Sequence, residues 1–228
     1  MRVRDIRRAL GATPIQAVFR KLGRRGVDTS RLSVLEVFGA SGDFHTKDYA
    51  YKVGRLEVWE INDKLESALR RNLPDAAIKI TDSYQEIART NSRYDMIVID
   101  NPLSFFGPDE KYCEHFEMFP AVFRLIDRSC ILIVNVIPRL NRYARKKWPY
   151  MFNPKQLAKR AEFYRTDRPE DVPYEKMTRT YSALAESSGL EMEWIFYERR
   201  RIWLPLELIG RQGVMHYAVM RLSRRSHC

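Results

Sequence analysis

The sequence predicts an α/β fold with a doubly wound, mostly parallel sheet of seven strands, and two observations support this prediction. Between residues 33 and 136, continuous apolar runs alternate with segments of helical periodicity, as expected for parallel strands buried on both faces and joined by right-handed helical crossovers. The first apolar run, residues 34–38, breaks into a loop of small residues, Gly39-Ala40-Ser41-Gly42. Such a break is typical of a strand that ends in a nucleotide-binding turn, where small residues let the backbone approach a ligand.

Two short helices are predicted ahead of the sheet. Residues 3–10 form a basic helix that ends at Gly11. A second helix is expected over residues 14–22, because Thr13, Pro14 and Gln16 are typical of an N-cap, a first helical position and a capping box. Together they make residues 1–31 a basic N-terminal helical extension.

The remaining elements follow from the alternation of apolar runs and helical periods. The predicted strands are residues 33–38, 55–59, 77–80, 96–99, 130–136, 190–197 and 215–222. The predicted helices are residues 44–53, 63–71, a short helix from 83, 112–125 and 173–188. Residues 32–228 are therefore expected to form a single Rossmann-like domain, in which residues 138–180 are an inserted segment that binds substrate or acts as a lid.

Composition narrows the class of protein. The chain of 228 residues is long enough for one large α/β domain, and no apolar run approaches the roughly 20 residues that span a bilayer. The first residues lack the apolar stretch that a secretory signal contains. The three cysteines are too few, and odd in number, for a disulfide framework. These features predict a cytoplasmic protein with reduced thiols and no membrane association.

Positive charge is concentrated at the two ends and in the inserted segment. The net charge is +11; residues 1–31 carry nine Lys/Arg against two Asp/Glu, and residues 138–180 carry twelve against five. Residues 199–228 carry seven against one, so that the rest of the chain is acidic. This asymmetry favours a polyanionic partner, although a basic surface that only keeps the protein soluble is the simpler alternative.

Acidic or small polar residues stand directly after the first four predicted strands, where ligands bind in open α/β sheets. They are the loop Gly39-Ala40-Ser41-Gly42-Asp43, then Glu60, then Asp82-Ser83, and finally Asp100-Asn101. Glu60 lies 18 residues after Gly42 and could accept hydrogen bonds from both hydroxyls of a ribose, and Asp82 could accept one from an adenine amino group. An acidic loop also suits a cationic sulfonium better than a pyrophosphate. The alternative is that Glu60 and Asp82 only cap helices.

Three stretches resemble motifs of the class I S-adenosylmethionine-dependent methyltransferases. Residues 34–42 resemble the first motif, with Phe38 and Ala40 in place of two of its usual glycines; residues 56–60 resemble the second, and residues 94–103 the fourth. The resemblance implies S-adenosyl-L-methionine as cofactor. The cofactor-binding residues that it implies, together with the strand-end positions, are Glu36, Phe38, Gly39, Ala40, Gly42, Glu60, Asp82, Ser83 and Asp100.

The fourth motif bears on the reaction. Methylases of base amino groups carry Asp/Asn-Pro-Pro-Phe/Tyr here; Asp100 and Pro102 match this pattern, whereas Asn101 and Leu103 depart from it. The resemblance makes Asp100 and Asn101 the predicted catalytic residues and Pro102 a substrate contact, and Phe105 and Phe106 could stack on a base instead of the missing aromatic residue. Methylation of a ring nitrogen, a carbon or a hydroxyl stays open, and the two phenylalanines could equally pack a loop.

Basic and aromatic residues alternate after the fifth strand. The substrate-binding residues predicted there are Arg145, Lys146, Lys147 and Trp148, and a second such segment is Arg199-Arg200-Arg201 ahead of Trp203. Cations for phosphates and rings for unstacked bases are typical of proteins that hold looped RNA. Alternatively, the rings form the small core of a cap over a small-molecule site. No metal site is predicted, since neither the histidines nor the cysteines have ligand spacing.

The sequence therefore predicts an S-adenosylmethionine-dependent methyltransferase that acts on RNA, either ribosomal or transfer RNA. A small-molecule methyltransferase of natural-product biosynthesis is the alternative within enzymes. A non-catalytic RNA-binding protein with this fold is the alternative outside them. The acceptor atom and the oligomeric state are not predicted.

Overall fold

The structure is a computed structural model, and it describes residues 3–200 and 215–225. These residues form two compact units. The first comprises the residues up to Asp100 together with Leu125–Ile133, and the second comprises Asn101–Arg124 and the residues from Val134 onward. Arg201 and Trp203 of the second predicted basic segment lie outside the described residues.

Nine strands are present in the described part of the chain. They are β1 (Ser33–Glu36), β2 (Arg55–Glu60), β3 (Ala77–Ile80), β4 (Met96–Ile99), β5 (Phe105–Phe106), β6 (Tyr112–Cys113), β7 (Ser129–Val136), β8 (Leu190–Arg199) and β9 (His216–Arg224). The helices in the same residues are α1 (Val3–Ala9), α2 (Pro14–Arg24), α3 (Glu66–Asn72), α4 (Ser83–Arg89), α5 (Arg142–Lys147), α6 (Pro154–Tyr164) and α7 (Tyr174–Ser187).

Seven of the strands form one sheet in the order β3-β2-β1-β4-β7-β9-β8. β1 pairs in parallel with β2 and with β4, and β2 pairs in parallel with β3. β8 and β9 are antiparallel, with a bulge between Met192 and Trp194. The mostly parallel seven-stranded sheet predicted from the sequence is confirmed. Because its order turns back at β1 and β4, the carboxyl ends of these two strands form the switch point at which such sheets bind ligands.

The central strands of the first unit are buried on both faces, as the apolar runs predicted. Val34 and Leu35 of β1 and all four residues of β4 are at most 1% exposed. Burial of this kind stabilises parallel sheets by about 25 cal/mol for each Å² of apolar surface. Rigid strands therefore carry the loops that contain the candidate ligand-binding residues.

Both N-terminal helices are present, and the second packs through the face that its spacing predicted. Ile15, Val18, Phe19 and Leu22 of α2 are buried. The Phe19 ring stacks on Tyr49 with 5.0 Å between centroids. The capping box is formed, with Gln16 Oε1 accepting a hydrogen bond from the Thr13 N–H at 3.1 Å. The basic extension is thus packed against the segment that follows the small-residue loop.

Two predicted helices are wrong. Residues 44–53 form two short 3-10 turns, Thr46–Asp48 and Ala50–Lys52, because buried polar contacts of Asp48 and Tyr49 with Arg8 and Glu36 fix the backbone there. The predicted helix over residues 112–125 is replaced by strand β6 and by the 3-10 turns Phe116–Met118 and Ala121–Leu125. Pro120 lies in the middle of that segment, and proline lacks the N–H that a helix interior requires.

The segment after β7 contains the helices α5 and α6, which the sequence analysis did not identify. Ile137, Leu140, Ala144 and Met151 form a small buried cluster.

The described thiols of Cys113 and Cys130 are buried and free. Among residues 3–200 and 215–225, no helix is long and apolar enough to cross a bilayer.

Candidate cofactor-binding site

The small-residue loop after β1 is folded tightly against β2. The Gly39 N–H donates to the Trp59 carbonyl at 2.8 Å. A Cβ at position 39 would lie 2.3 Å from Val58 Cγ1, so only glycine fits. Gly42 adopts a φ of +70°, and Ala40 has a φ of 46° although it is not glycine. The loop therefore curls in the left-handed region, with Ala40 exposed at its tip.

The carboxylate of Glu60, at the end of β2, ties this loop to the neighbouring strand. Glu60 Oε2 accepts a hydrogen bond from the Ala40 N–H at 2.7 Å, and Oε1 accepts one from the Asn62 N–H at 2.9 Å. A carboxylate has about four acceptor positions, so two remain for a ligand. Glu60 is 9% exposed. It fixes the loop to the end of β2.

Asp82 and Ser83 have structural partners at the start of α4. Asp82 Oδ1 accepts hydrogen bonds from the N–H groups of Tyr84 and Gln85, at 2.9 and 3.4 Å, which is the N-cap role that the sequence left as an alternative. The Ser83 hydroxyl donates to the Val37 carbonyl at 2.6 Å. These bonds hold α4 against the end of β1. The Phe38 ring is half-buried, 6.4 Å from the ring of Tyr84.

Glu36 lies beneath the loop and is 1% exposed. Its Oε2 accepts hydrogen bonds from the hydroxyls of Tyr49 and Thr46, while Oε1 has no partner among the described residues. Burial, and secondarily the nearby Asp100 carboxylate, raise the pKa of Glu36 well above its ordinary value, although the hydrogen bonds lower it in part. Glu36 is therefore the group beneath the loop most able to keep a proton.

Asp100, which follows β4, is paired with a histidine that the sequence analysis did not select. His45 Nε2 lies 3.2 Å from Asp100 Oδ2, and each side chain is about one-tenth exposed. His45 follows the small-residue loop by three positions, where no ligand spacing singles it out. No sequence signal links it to Asp100, because the two residues meet only when β1 and β4 lie side by side.

A second contact that the sequence did not predict comes from α1. Arg8 forms a short ion pair with the buried Asp48 and donates a hydrogen bond to the Asp43 carbonyl at 2.9 Å. Its guanidinium also lies 3.5 Å from Asp43 Oδ1. The N-terminal extension is thus attached to the segment that begins directly after Gly42.

In the second unit, the residues that follow Asp100 form an ordered loop. The Asn101 carbonyl accepts a hydrogen bond from Asn135 Nδ2 at 3.3 Å, and Asn101 Nδ2 donates to the Pro102 carbonyl at 2.9 Å. Both asparagine side chains have an Oδ1 atom that is buried and has no partner among the described residues. Gln156 of α6 donates to the Leu103 carbonyl at 3.0 Å. Helix α6 therefore supports the loop that contains the fourth motif.

Phe105 and Phe106 form the short strand β5, which pairs antiparallel with β6. Both side chains are half-buried, and the Phe106 ring lies 5.7 Å from Tyr112. Packing of a loop, which the sequence left as an alternative, is therefore at least part of their role. Pro102 is exposed at the start of the same loop.

The predicted substrate-binding residues on α5 and directly after it are of two kinds, exposed cations and one half-buried aromatic ring. Arg145 and Lys146 are exposed, and the Arg145 guanidinium lies 4.2 Å from the centre of the Phe152 ring. Trp148 is half-buried and packs against the Ile137 cluster, as in the alternative of a small aromatic core. The side chain of Lys147 lies outside the described residues. Among the described residues, no group of three or more His, Cys, Asp or Glu could hold a metal ion.

Comparison with known proteins supports the fold but gives no close relative. No protein-family description matches the sequence, and no curated protein matches it significantly. Among solved structures, the chain is similar to a candidate RNA methyltransferase from Pyrococcus horikoshii, with 12% identity, a TM-score of 0.55, and coverage of 92% of this chain and 83% of the other. The chain has the class I methyltransferase fold.

Two further structures share this fold. Magnesium protoporphyrin IX methyltransferase from Synechocystis PCC 6803, solved with bound SAH, is 12% identical with a TM-score of 0.53, over 99% of this chain and 89% of the other. A candidate methyltransferase from Escherichia coli is 10% identical with a TM-score of 0.50, over 93% and 87%. At these identities the similarity extends to the fold of the chain and not to individual site residues.

Proposed function

We propose that this chain is an S-adenosylmethionine-dependent methyltransferase that methylates RNA. The observation that carries the proposal is the position of Glu60. Its carboxylate stands at the end of β2, next to the switch point between β1 and β4, and is hydrogen-bonded to the loop after β1. It keeps acceptor positions for the hydroxyls of a ribose. A structure of the same fold that holds SAH supports the choice of cofactor.

The residues around the loop fit this cofactor. Glu60 would accept hydrogen bonds from the ribose, and the half-buried Phe38 offers an apolar surface for a base. Asp82 Oδ2, which also accepts from Gln85 Nε2 at 3.4 Å, would accept from the adenine amino group. Glu36 Oε1 is a buried acceptor without a partner among the described residues. When bound, S-adenosylmethionine supplies an electrophilic methyl group on a cationic sulfonium.

The chain's own residues would orient the acceptor and remove its proton. Asp100 is placed directly after β4 and next to His45, so its carboxylate can accept a hydrogen bond from an acceptor N–H or O–H while the imidazole fixes its orientation. Methyl transfer requires an in-line approach of the acceptor atom, and orientation of this kind contributes strongly to such reactions. Asn101 follows in the chain, with a buried Oδ1 that has no partner among the described residues.

RNA is the proposed acceptor because of the charge of the chain and the similarity of its fold to a candidate RNA methyltransferase. The exposed cations Arg145 and Lys146 on α5 and the basic helices α1 and α2 supply the charge that a phosphate backbone requires. Phe105 and Phe106 are half-buried, which leaves part of each ring to contact an unstacked base.

Transfer of a radiolabelled methyl group to total cellular RNA tests the proposal, with DNA and a metabolite extract as parallel acceptors. We expect label in RNA for the wild-type chain, and a decrease of about 10²–10⁴-fold for Asp100→Asn, which keeps the size of the side chain but cannot accept a proton. Asp95→Asn, at the opposite end of β4, is the matched control. Absence of S-adenosylmethionine binding in calorimetry would show that the chain is not an enzyme of this kind.

A small-molecule acceptor is the second candidate, and one observation favours it. The structure of magnesium protoporphyrin IX methyltransferase matches over 99% of this chain. Label that enters the metabolite extract and not the RNA would favour this candidate. Binding of RNA that weakens steeply with salt would favour the first.

A further inference from the structure

Helices α6 and α7 of the second unit enclose a groove that is separate from every residue assigned above. Its cavity has a volume of about 600 Å³, and a second cavity of about 490 Å³ adjoins it. Arg165, Lys176 and Arg179 line both cavities. Cavities of this size hold a nucleotide-sized group, and the shared wall of the two cavities consists of three cationic side chains.

These three cations have no carboxylate partner among the described residues. Other charged residues of the same surface are paired: Lys159 contacts Glu117 and Glu162 at 3.7 and 3.8 Å, and Arg168 contacts Asp171 at 3.2 Å. Arg165 and Arg179 are exposed, and Lys176 is half-buried. Asp167, in the second cavity, is the remaining carboxylate. Positive charge therefore exceeds negative charge where the two cavities meet.

The position of Arg165 is fixed by the backbone. It is the C-cap of α6, with a φ of 50° in the left-handed region, and its N–H donates to the carbonyls of Ala161 and Glu162. Lys176 and Arg179 are separated by three positions on α7, so their side chains lie on the same face of that helix. Two ordered helices thus hold three cations on the rim of one groove.

The floor of the first cavity is apolar and includes an aromatic ring. Phe163, Ala183 and Leu184 line it, and none of the three is fully buried. The Phe163 ring is held in place by stacking on Phe116, with 4.3 Å between centroids. A ring beside unpaired cations is the combination with which proteins bind an unstacked base and its flanking phosphates.

We infer that this groove is a phosphate-anchoring site for single-stranded RNA, in which Arg165, Lys176 and Arg179 bind the phosphates and Phe163 contacts a base. The inference rests on the proposed function and deepens it, because it identifies a second contact of the RNA in addition to the residues after β4. RNA is favoured over a free nucleotide because the same three cations line two adjoining cavities. A strand with consecutive phosphates can occupy both cavities, whereas a single nucleotide fills only one.

The test compares two variants of the full chain that remove the same charges. The site variant is Arg165→Gln/Lys176→Gln/Arg179→Gln; the control is Lys64→Gln/Arg70→Gln/Arg71→Gln, three exposed cations of the first unit. Binding of a fluorescein-labelled, mixed-sequence, single-stranded oligoribonucleotide is measured by anisotropy over a range of salt concentrations. Circular dichroism verifies that both variants fold, and calorimetry with S-adenosylmethionine reports on the first unit.

The site variant is expected to bind the oligonucleotide at least tenfold more weakly. The slope of log K against log salt concentration should decrease in magnitude by about 2, because each of the three phosphate contacts on a single strand contributes about 0.7 to that slope. The control should lose less than about threefold. Equal losses in both variants, or binding of AMP by the wild-type chain as tight as that of the oligonucleotide, would overturn the inference. Because S-adenosylmethionine binding is measured separately, these results leave the proposed methyl transfer standing, whereas loss of that binding in the wild-type chain rejects both.

Discussion

His45 Nε2 lies 3.2 Å from Asp100 Oδ2, and each side chain is about one-tenth exposed. Two loops at neighbouring strand ends meet through this contact, the one after β1 and the one after β4. The imidazole restricts the rotation of the Asp100 carboxylate. Under the proposed function, the pair would hold the Asp100 carboxylate in the orientation that a methyl acceptor requires.

Replacement of His45 by alanine should lower kcat for methyl transfer by about 10- to 100-fold, because Asp100 loses the partner that fixes its orientation. KM and the affinity for S-adenosylmethionine should change little. His45→Gln, whose amide can still donate to Asp100, should recover part of the rate. An alanine variant with the wild-type kcat would remove His45 from the site.

Glu60→Gln should weaken the binding of S-adenosylmethionine by about 10- to 100-fold. An amide cannot accept hydrogen bonds with both ends, so one of the bonds to Ala40 or Asn62 is lost, and hydrogen bonds to a charged group contribute about 1.5–3 kcal/mol. The control is Glu57→Gln on the same strand, whose carboxylate accepts from Trp59 Nε1 instead. Calorimetry that gives the two variants the same affinity would contradict the role of Glu60.

The parts of the candidate site that are set by residues close together in the sequence, namely the strand ends and the helix cap, could be predicted from local patterns. Apolar runs placed β1 to β4, and therefore Glu60 and Asp100 at strand ends. Capping of α4 by Asp82, the alternative to ligand binding, is present in the structure, and its partners Tyr84 and Gln85 follow it directly in the chain. Pro120 interrupts the predicted helix over residues 112–125, and apolar spacing alone does not offset the backbone hydrogen bond that a proline removes.

Contacts between distant residues could not be predicted in the same way. Arg8 with Asp48, His45 with Asp100, and Arg160 with Glu114 each join residues 40 or more positions apart. Nothing in the composition or spacing of one partner indicates the other, because the chain path between them is set by the sheet and its connections. These contacts decide which charged residues are buried, and this is why the predicted helix over residues 44–53 gave way to turns.

Glu36→Gln should make the folded protein more stable at neutral pH relative to the wild type. Burial raises the pKa of Glu36 in the folded state well above its ordinary value of 4.5. As pH rises from 4.5 through the folded-state pKa, the unfolded chain releases this proton first, so the wild type loses stability over that window. The glutamine has no proton to lose, and its Oε1 can still accept from the Tyr49 hydroxyl.

Urea unfolding of the two proteins at a series of pH values measures this effect. The difference in free energy of unfolding should grow in favour of Glu36→Gln by more than about 1 kcal/mol above pH 4.5 and vanish below it. Glu66→Gln, which removes a carboxylate that pairs with Arg70 on the surface, controls for the general effect of charge. A difference that does not depend on pH would show that Glu36 is not held in its protonated form.

Arg160→Met should destabilise the second unit by about 3–5 kcal/mol, because it leaves the fully buried Glu114 carboxylate without its partner. Arg160 also donates to the carbonyls of Ile137 and Pro169 at 2.7 and 2.8 Å, so three separate segments lose a contact. For a chain of this size, such a loss corresponds to a decrease in Tm of about 6–20 °C.

The double variant Arg160→Met/Glu114→Gln separates the cost of the unpaired charge from the cost of lost packing. Because glutamine places no charge in the core, the double variant should recover more than half of the stability that Arg160→Met loses. Gln156 donates to both Glu114 Oε1 and the Leu103 carbonyl, so the loop of the fourth motif should regain its support in the same variant. Thermal unfolding followed by circular dichroism measures both proteins, and a double variant as unstable as Arg160→Met would show that packing, and not the buried charge, is the main contribution of Arg160.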